Sequence, residues 1–530
     1  MVKKTVRVLV SDKLAPEGVE ILKQAEGVEV TVKTGMSPDE LKAVLPQFDA
    51  IIIRSATKLT ADVLAAAPGL KAIARAGVGV DNVDIAAATK NGTIVMNTPG
   101  GNTLSAAELT LTLLSALCRH VAPACARLKE GVWDKKSFEG VELSGKTIGI
   151  VGLGRIGCEV AKRCAAFNMR VLGYDPFLTE ARAQTLGITL VRSVDELVRE
   201  ADFLTVHTPL NDETRGMIGA KQFALMKKGV RVVNVARGGI IDEAALLDAL
   251  QSGRCAGAAL DVFTEEPPTD RALVEHPKVL CTPHLGASTE EAQVSVTIDA
   301  ARQIVDVLKK GEIRSALNYP ALSVADAEEL APYGVLAMRL GRLAGQIFEG
   351  PVRRLELTYG GEIVVHDLRS VTHQFAMGLM SCFEEHVNPV SAPILAKERG
   401  IDIRVTQTEA AQEFRSLIRV EIETGDGVHK LAGTIFGRRI PLLVMLDDFF
   451  LEVAPQGTLL LIRNEDRPGV IGAVGTALGN AGINIAGLAW GSLKGEAMSV
   501  VRCDAETIPP EILQAIGRIP FVKSVRMVRV

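Results

Sequence analysis

The sequence predicts an α/β protein with two doubly wound parallel-sheet units, followed by an α+β unit and a small βαββαβ unit. Three observations support this order. Short apolar runs alternate with helical patterns from the N-terminus to about residue 310. One of these runs leads into a glycine turn of the type that binds dinucleotides. Beyond residue 320 the pattern changes to mixed helices and alternating strands, and the C-terminal part has strands and helices in the order βαββαβ.

The glycine turn is the feature on which the rest of the prediction depends. A buried strand, Thr147 to Val151, is followed by Gly152-Leu153-Gly154-Arg155-Ile156-Gly157, then by a helix, a second strand and Asp175. The first glycine permits a tight turn, the second lets the backbone approach a pyrophosphate, and the third lets the helix pack against the strand. Asp175 can accept hydrogen bonds from ribose hydroxyls and would repel a 2′-phosphate. The predicted cofactor is therefore NAD rather than NADP.

The order of strands predicts that this Rossmann-like unit is inserted into the first unit. The strands predicted before it are Val6–Val10, Val28–Val32, Ala50–Arg54, Ala72–Ala74 and Ile94–Met96, and those that continue it are Phe203–His207, Val230–Val235, Gly257–Val262 and Val279–Thr282. A helical stretch from Thr103 to Glu130, broken at Pro123, leads into the turn, and a helix from about Thr289 to Lys310 returns to the first unit.

Four domains follow from this organisation. We expect a substrate-binding domain formed by residues 1–102 and 286–320, an NAD-binding domain at 103–285, a third domain at 321–453, and a ferredoxin-like fourth domain at 454–530. In the third domain the predicted elements are helices at Leu336–Ile347 and Leu368–Glu384 and strands at Phe414–Ile422 and Lys430–Phe436.

Composition excludes several classes of protein. The 530 residues include 59 Lys and Arg against 63 Asp and Glu, a net charge of −4 without a basic block, so nucleic acid is not an expected partner. Hydrophobic residues make up 47% and charged residues 23%, which is typical of a globular chain. No apolar run approaches the roughly 18 residues of a membrane span, and the eight cysteines form no C-x-x-C pair. We expect a cytoplasmic protein with no membrane partner and no bound metal.

Arg237, Glu266 and His284 each follow the end of a different predicted strand of the NAD-binding domain. Because the carboxyl ends of parallel strands lie at one edge of a sheet, these residues can act together. Oxidation of an alcohol by a nicotinamide needs a group that takes the hydroxyl proton near pH 7, which suits histidine. A carboxylate bonded to the imidazole would fix its tautomer, and a guanidinium can bind an α-carboxylate through two parallel hydrogen bonds.

Structural alternatives stay open at these positions. Arg237 could be an anchor between an apolar strand and two glycines, and Glu265 and Glu266 could be a solvated pair before two prolines. Single histidines such as His207 and His276 are more often packed or surface residues than catalytic ones. Periodicity alone does not choose between these interpretations.

Several runs resemble the signature sequences of the D-isomer-specific 2-hydroxyacid dehydrogenases. The runs in the NAD-binding domain are Asn234 to Gly238, Leu260 to Pro267 and Pro283 to Thr289, and those in the first unit are Arg54 to Thr57, Arg75 to Asp84 and Asn97 to Pro99. Residues 321–453 resemble the intervening, allosteric-substrate-binding domain of the longer members. Residues 454–530 resemble an ACT domain, a module that binds small amino acids. The resemblance covers nearly the whole chain.

The resemblance implies a role for each of a set of residues. His284 would be the general acid/base, Glu266 its partner, and Arg237 the ligand of the substrate carboxylate and carbonyl. The residues that would line the NAD site are Gly152, Gly154, Arg155, Ile156, Gly157, Asp175, Thr208, Ala236, Asp261 and Gly286. The residues that would face the substrate are Arg54, Ser55 and Asn102, with Arg54 as the partner of a phosphate group.

Five further positions are interpreted from the same resemblance. Lys135 would reach the site of a neighbouring subunit, and Val78 stands where some relatives carry threonine beside the cofactor. Asn464, Asp466 and Asn484 resemble positions that bind L-serine in regulated members. Asn and Asp are also ordinary turn residues, so the serine site stays open.

The implied activity is NAD-dependent oxidation of 3-phospho-D-glycerate to 3-phosphohydroxypyruvate, the first step of L-serine biosynthesis. Two alternatives remain. One is a dehydrogenase for another D-2-hydroxy acid, such as glycerate, and the other is a catalytically silent, amino-acid-responsive regulator that has kept NAD binding. The apolar stretch from Thr103 to Glu130 also predicts a homo-oligomer, either a tetramer or a dimer.

Overall fold

The first parallel sheet is built from the N-terminal part of the chain. The computed structural model describes residues 5–347, 352, 354–411, 413–425, 427–437 and 439–530. In the first sheet the strands are parallel and lie in the order β2-β1-β3-β4-β5. Their bounds are Val6–Val10 (β1), Val28–Val32 (β2), Ala50–Ile53 (β3), Ala72–Arg75 (β4) and Ile94–Asn97 (β5). All five predicted strands are confirmed, with ends within one residue of the prediction.

Short helices connect these strands: α1 (Pro16–Gln24), α2 (Pro38–Val44), α3 (Ala61–Ala65) and α4 (Ile85–Lys90). The start of α2 shows why the sequence folds this way locally. The side chain of Ser37 accepts a hydrogen bond from the Glu40 N–H at 3.3 Å, and Glu40 Oε2 accepts one from the Ser37 N–H at 2.8 Å. Two N–H groups that a helix end would leave unpaired are thereby satisfied.

The second sheet has seven parallel strands in the order β12-β11-β10-β9-β6-β7-β8. They are β6 (Thr147–Val151), β7 (Arg170–Tyr174), β8 (Thr189–Leu190), β9 (Phe203–Val206), β10 (Val230–Asn234), β11 (Cys255–Leu260) and β12 (Val279–Cys281). Its helices are α5 (Thr103–Cys118), α6 (Val121–Lys129), α7 (Arg155–Ala166), α8 (Glu180–Thr185), α9 (Val194–Glu200), α10 (Ala220–Leu225) and α11 (Glu243–Gln251). The direction of winding reverses between β6 and β9, which is where open α/β sheets bind ligands.

The long helical stretch before β6 is broken, but not at the predicted residue. α5 ends at Cys118 and α6 begins at Val121, with His120 in the left-handed conformation between them. Pro123 lies in the first turn of α6, where its missing N–H costs no hydrogen bond. The proline therefore sets where α6 can begin, and the break falls just before it.

A long helix, α12 (Glu290–Lys310), returns to the first sheet. It buries Ala300 and Ile304 in the hydrophobic core that contains Val8 and Ile52 of the first sheet. Gly18 of α1 lies so close to Thr297 of α12 that a side chain at Gly18 would overlap it. The chain thus leaves the first sheet, builds the second, and packs back on the first.

The third sheet has the order β14-β13-β15-β16-β17-β18 and is antiparallel except for the β13–β14 pair. Its strands are β13 (Arg354–Gly361), β14 (Ile403–Thr408), β15 (Ser416–Glu423), β16 (Val428–Phe436), β17 (Ile440–Leu446) and β18 (Phe449–Val453), and its helices are α13 (Val324–Ile347), α14 (Arg369–Met380) and α15 (Ala392–Glu398). The predictions for this part were wrong in two respects. The first helix begins twelve residues earlier than the predicted Leu336 (336 − 324), and four of the six strands were not predicted.

The fourth sheet is antiparallel with the order β20-β21-β19-β22. Its elements are β19 (Thr458–Glu465), α16 (Val470–Asn480), β20 (Ile485–Leu493), β21 (Glu496–Cys503), α17 (Pro510–Gly517) and β22 (Val522–Arg529), which confirms the predicted βαββαβ order. Leu459, Leu461 and Val500 of this sheet belong to the same hydrophobic core as Leu340 and Phe375 of α13 and α14. The last two sheets are therefore joined by one continuous core.

Among the described residues, no single helix is both long and apolar enough to cross a membrane. α5 and α6 meet that criterion only as a pair, and they are bent by 63° at their junction.

Candidate active site

Three neighbouring strands of the second sheet carry the predicted catalytic residues. β10, β11 and β12 are parallel, and Arg237, Glu266 and His284 follow them in that order. The Nδ1 atom of His284 lies 2.7 Å from Oε2 of Glu266, and their side chains are 48% and 37% exposed. The structure therefore brings the predicted imidazole and carboxylate into direct contact at a surface that a substrate can reach.

Glu266 is bonded through both carboxylate oxygens. Oε1 accepts a hydrogen bond from the backbone N–H of Phe263 at 3.1 Å, and Oε2 meets His284. Burial alone would raise the pKa of Glu266, but these hydrogen bonds and the charges of His284 and Arg237 lower it below its ordinary value. Because an ionised carboxylate only accepts hydrogen bonds, Nδ1 of His284 carries a proton and Nε2 is left for a substrate.

The loop that carries His284 is fixed by Asp261. The backbone N–H of His284 donates to the Asp261 carbonyl at 2.8 Å. The N–H groups of Leu285 and Gly286 donate to the two carboxylate oxygens at 2.7 and 2.8 Å, and Thr282 Oγ1 donates at 2.6 Å. Burial raises the pKa of Asp261 in spite of these hydrogen bonds. Asp261 and Gly286, both predicted to line the NAD site, thus hold the left-handed backbone of His284 in place.

Arg237 reaches from the second sheet to the first. Its Nε lies 3.2 Å from Oδ2 of Asp81, on the loop after β4. Nη1 donates to the carbonyl of Ala236 at 2.7 Å, and Nη2 lies against Gly79, where a side chain would overlap it. Ala236 in turn donates its N–H to Oδ1 of Asn234 at 3.0 Å. The guanidinium predicted to bind the substrate carboxylate therefore stands in the cleft between the two parallel sheets.

Arg54 follows β3 of the first sheet, where a buried carboxylate orders its loop. Asp12 Oδ2 accepts the N–H of Arg54 at 2.5 Å and that of Thr57 at 3.2 Å, while Oδ1 accepts the Thr57 hydroxyl at 2.8 Å. The Arg54 guanidinium donates to the carbonyl of Lys13 at 3.2 Å. Ser55, the next predicted substrate residue, is exposed on this loop.

Arg75, at the end of β4, lies beside the Arg54 loop and was not among the predicted site residues. Its Nε donates to Oδ1 of Asn82 at 3.0 Å, and Nδ2 of Asn82 donates to the carbonyl of Arg54 at 2.6 Å. Burial, together with the charges of Arg237 and Arg54, lowers the pKa of Arg75 to about 10, so it remains a cation at neutral pH. Its position could have indicated this proximity, because Arg75 ends β4 and Arg54 follows the neighbouring strand β3.

Asn102, predicted to face the substrate, lies immediately before α5. Its Oδ1 is buried without a hydrogen-bond partner among the described residues, and the same holds for Thr103 Oγ1. Asn102 does not cap α5 through its side chain. A buried carbonyl oxygen without a partner is costly, so a ligand or a water molecule is needed to satisfy it.

The glycine turn has the shape that a pyrophosphate requires. Gly152 has a φ of 90°, and a side chain at Gly157 would overlap the carbonyl of Gly152. A Cβ atom at Gly154 would meet nothing within 4 Å, so space is open next to the first turn of α7. Asp175 Oδ2 accepts the N–H of Leu153 at 2.7 Å, which ties the acid at the end of β7 to the turn.

The remaining predicted NAD residues surround this turn. Thr208 touches the position a side chain at Gly152 would take, and its Oγ1 is buried without a partner among the described residues. Arg155 opens α7 and extends toward Gly100 of the first sheet, whereas Ile156 packs against the hydrophobic core. An orphaned hydroxyl, open space at the second glycine and a helix N-terminus together fit a dinucleotide.

His207 is packed behind the glycine turn, against Gly152 and Gly157, which agrees with the packed position expected of most single histidines. Its Nε2 lies 3.0 Å from Thr205 Oγ1, and burial lowers the pKa of His207 to about 4. It therefore stays neutral at physiological pH.

Two other predicted residues lie at the margins of the site. Val78 contributes its carbonyl, which accepts a hydrogen bond from Asn97 Nδ2 at 2.6 Å. Lys135 lies on an exposed segment after α6, and its Nζ is 5.9 Å from the ring centroid of Trp133. Trp133 is 76% exposed, which is unusual for tryptophan and is typical of a residue covered by a partner.

The three predicted effector residues do not converge within one chain. The ladder places Asn464 opposite Ala497 and places Ile485, the neighbour of Asn484, opposite Cys503. These positions lie six residues apart along β21 (503 − 497), or about 20 Å. Asn464 is buried with Oδ1 unpartnered among the described residues, whereas Asn484 Nδ2 donates to Asp504 Oδ2 at 2.6 Å. Asp466 donates its N–H to the Gly495 carbonyl at 2.9 Å.

Comparison with known families assigns three segments of the chain. Residues 111–286 match the D-isomer specific 2-hydroxyacid dehydrogenase NAD binding domain, residues 329–447 match the D-3-phosphoglycerate dehydrogenase intervening domain, and residues 458–521 match the ACT domain. Among solved structures, the TT0316 protein from Thermus thermophilus is similar over 59% of this chain and 99% of that one, at 35% identity and a TM-score of 0.54. A D-lactate dehydrogenase from Aquifex aeolicus, complexed with NAD and lactic acid, covers 57% of this chain and 96% of its own, at 29% identity and a TM-score of 0.51.

Curated relatives match over nearly their full length. The D-3-phosphoglycerate dehydrogenase of Methanocaldococcus jannaschii is 41% identical over 526 residues, which is 99% of each chain. That of Archaeoglobus fulgidus is 44% identical over 487 residues, which is 92% of each chain. The enzyme of the same name from Bacillus subtilis is 41% identical over 98% of this chain and 99% of its own. The chain belongs to the D-isomer-specific 2-hydroxyacid dehydrogenases, in the D-3-phosphoglycerate dehydrogenase family.

Proposed function

We propose that this chain oxidises 3-phospho-D-glycerate to 3-phosphohydroxypyruvate with NAD, as the first step of L-serine biosynthesis. The observation that carries the proposal is the 2.7 Å contact between His284 and Glu266 on the sheet edge that also presents Arg237. This is the set of groups that the reaction needs, and relatives of the same length carry the name of this enzyme. The retained set also argues against a catalytically silent regulator.

Each residue has one task in this reaction. Arg237 binds the substrate carboxylate and polarises the oxygen on C2. His284, with Nδ1 held by Glu266, takes the C2 hydroxyl proton at Nε2. NAD, when bound, would supply the hydride acceptor. The C2–H electron pair would leave with the hydride, and the O–H pair would form the second bond of the C2 carbonyl. Arg54 binds the phosphate at the other end of the substrate.

The residues around the glycine turn would hold the cofactor in this cleft. The glycines and the first turn of α7 bind the pyrophosphate, Arg155 adds a positive charge, and Asp175 binds the ribose hydroxyls. Residues 1–102 with 286–320 form the substrate-binding domain and residues 103–285 the NAD-binding domain. Residues 321–453 form the intervening domain and residues 454–530 the ACT domain.

The ACT domain supports regulation by an amino acid, which we assign to L-serine. Because Asn464 and Asn484 lie at opposite ends of the sheet, a site that used both would take one from each of two chains. This agrees with a homo-oligomer, a dimer or a tetramer, in which exposed Trp133 is covered and Lys135 approaches a neighbouring site. The expected compartment is the cytoplasm.

The test is the initial rate of NADH formation from 3-phospho-D-glycerate and NAD, with and without L-serine, and with D-glycerate as the competing substrate. We expect turnover of the phosphorylated acid and a far lower kcat/KM for D-glycerate. Preference for D-glycerate would instead identify a dehydrogenase of another 2-hydroxy acid. Absence of any NADH formation, with NADH still bound, would support the silent regulator.

A further inference from the structure

Arg75 is a partly buried cation on which the charges of Asp81 and Asp12 act without direct contact. Within the described part of the chain its guanidinium donates one hydrogen bond, from Nε to the neutral amide of Asn82, and it forms no ion pair. A charge removed from water is costly unless it is paired. Among the described residues, the first sheet therefore presents a guanidinium that no carboxylate contacts directly.

The nearest carboxylates are already engaged. Asp81 pairs with Nε of Arg237 at 3.2 Å. Asp12 accepts the backbone N–H groups of Arg54 and Thr57 and the Thr57 hydroxyl. The charges of Arg54 and Arg237 thus act on Arg75, opposed by those of Asp81 and Asp12. Both carboxylates are bonded to other groups, Asp81 to Arg237 and Asp12 to the Arg54 loop.

Arg75 lies on the side of the cleft that carries Arg54. β3 and β4 are adjacent and in register, with Ile53 opposite Arg75. Arg54 therefore lies one residue beyond that pair. Asn82 connects the two arginines, since its amide oxygen accepts from Arg75 and its amide nitrogen donates to the Arg54 carbonyl. Nη1 of Arg75 lies against Gly77, where a side chain would overlap it. Arg237, in contrast, lies against Gly79 and comes from the other sheet.

We propose that Arg75 is a second ligand of the substrate phosphate, beside Arg54, and that it makes the site selective for a phosphorylated 2-hydroxy acid. This inference rests on the proposed function and specifies its substrate class. A phosphate dianion offers three acceptor oxygens and can take hydrogen bonds from two guanidinium groups at once. Arg237 still binds the carboxylate end of the substrate. Loss of Arg75 should therefore weaken binding of the phosphate end and leave binding of the carboxylate end unchanged.

A purely structural role makes a different prediction. If Arg75 served only to hold Asn82 and the Arg54 loop, its removal would weaken binding of phosphorylated and unphosphorylated substrates alike. The informative quantity is therefore the ratio of kcat/KM for 3-phosphohydroxypyruvate to that for hydroxypyruvate, both reduced with NADH. Arg75→Gln removes the charge, and Arg75→Lys keeps the charge but loses the planar guanidinium group that can donate two parallel hydrogen bonds. Arg170→Gln is the matched control, because Arg170 pairs with exposed Glu200 at the opposite end of β7 from Asp175.

For Arg75→Gln we expect kcat/KM for the phosphorylated substrate to fall about tenfold to a hundredfold, the range for losing a charge-assisted hydrogen bond. We expect less than a threefold change for hydroxypyruvate and no change for Arg170→Gln. Inorganic phosphate should raise the Tm of the wild-type protein and not that of Arg75→Gln.

Equal losses for both substrates, or no loss for either, would overturn the inference. Should Arg75→Gln not fold, Arg75→Lys decides: an unchanged substrate ratio refutes the role of the guanidinium. Failure of the proposed function is a separate result, in which the wild-type protein does not reduce 3-phosphohydroxypyruvate. In that case the inference stands or falls on whether inorganic phosphate protects wild type but not the variant.

Discussion

The two ends of the cleft differ in how their charges are balanced. At one end Glu266 and His284 form a matched pair, one hydrogen bond apart and partly open to solvent. At the other, three guanidinium groups, those of Arg54, Arg75 and Arg237, lie near two carboxylates, of which only Asp81 forms an ion pair, with Arg237. When His284 takes a proton, its positive charge lies next to the Glu266 carboxylate, whereas the guanidinium groups at the arginine end are placed to bind an anion. We therefore expect variants of the histidine–glutamate pair to lower the rate of the chemical step, and variants at the arginine end to weaken substrate binding.

The largest effect is expected at the matched pair. His284→Ala removes the group that takes the hydroxyl proton, so turnover should fall by at least about a thousandfold. Binding of NADH should stay within about twofold, because the glycine turn and α7 are untouched. Steady-state rates and fluorescence titration with NADH measure the two quantities. Retained turnover would refute the assignment of His284, and loss of NADH binding would mean that the variant disturbs the fold.

Arg237→Ala should produce the next largest loss. It removes the ligand of the carboxylate and of the reacting carbonyl, for which about 3 kcal/mol, or more than a hundredfold in kcat/KM, is expected. Since every 2-hydroxy acid has this carboxylate, the loss should be the same for 3-phosphohydroxypyruvate and hydroxypyruvate. A loss confined to the phosphorylated substrate would show that Arg237 binds the substrate phosphate rather than the substrate carboxylate.

Arg54→Ala should separate the two substrates. Its guanidinium serves the phosphate, so KM for the phosphorylated substrate should rise about tenfold or more while kcat changes little. KM for the unphosphorylated analogue should stay within about threefold. Thr57→Val, which loses a hydroxyl bonded to Asp12 but keeps the arginine, is a matched control for disturbance of the loop. Equal effects on both substrates would remove Arg54 from the phosphate site.

Glu266→Gln tests the matched pair through pH. Loss of the negative partner disfavours the protonated imidazole, so the acid limb of the oxidation profile should move to lower pH. Stability gives a second readout. Because the pKa of Glu266 in the folded protein is lowered from 4.5, its carboxylate stabilises the fold above that value and loses this contribution as the pH falls through the lowered pKa. Wild type should therefore have the higher Tm at pH 7, and the difference should shrink in acid. A profile that did not move would show that Glu266 has no influence on proton transfer.

The parallel sheets could be predicted from the sequence because their strands are apolar throughout. β3, Ala50–Ile53, is buried at every position, and such runs are recognisable without knowing their neighbours. β14 could not be found in this way, because most of its residues are exposed at a sheet edge. β13 does alternate, with Leu355, Leu357 and Tyr359 buried. This alternation of apolar and polar residues was sufficient to predict a strand there. The early start of α13 was missed because its first turns are polar.

The same distinction explains what could be predicted of the candidate site. Arg237, Glu266 and His284 follow strands of one sheet, so their meeting follows from topology. Their roles remain predictions. The position of Arg75 beside Arg54 follows from two neighbouring strands of the first sheet, whereas the reach of Arg237 to Asp81 depends on how two separately folded sheets face each other. That relation is not encoded in any local pattern of the chain.

The smallest predicted effect concerns Asp81, the exposed carboxylate at the arginine end. Asp81 is 68% exposed and meets Arg237 through one nitrogen at 3.2 Å, and exposed pairs of this kind contribute about 0–1 kcal/mol. In Asp81→Asn the substrate carboxylate no longer competes with an internal anion, but Arg237 also loses a positioning partner. We expect these effects to oppose each other, so that KM changes less than about threefold and kcat falls modestly. A loss as large as that of Arg237→Ala would show that the ion pair across the cleft, rather than the substrate, holds Arg237 in its working position, and the arginine end would then be balanced before any ligand arrives.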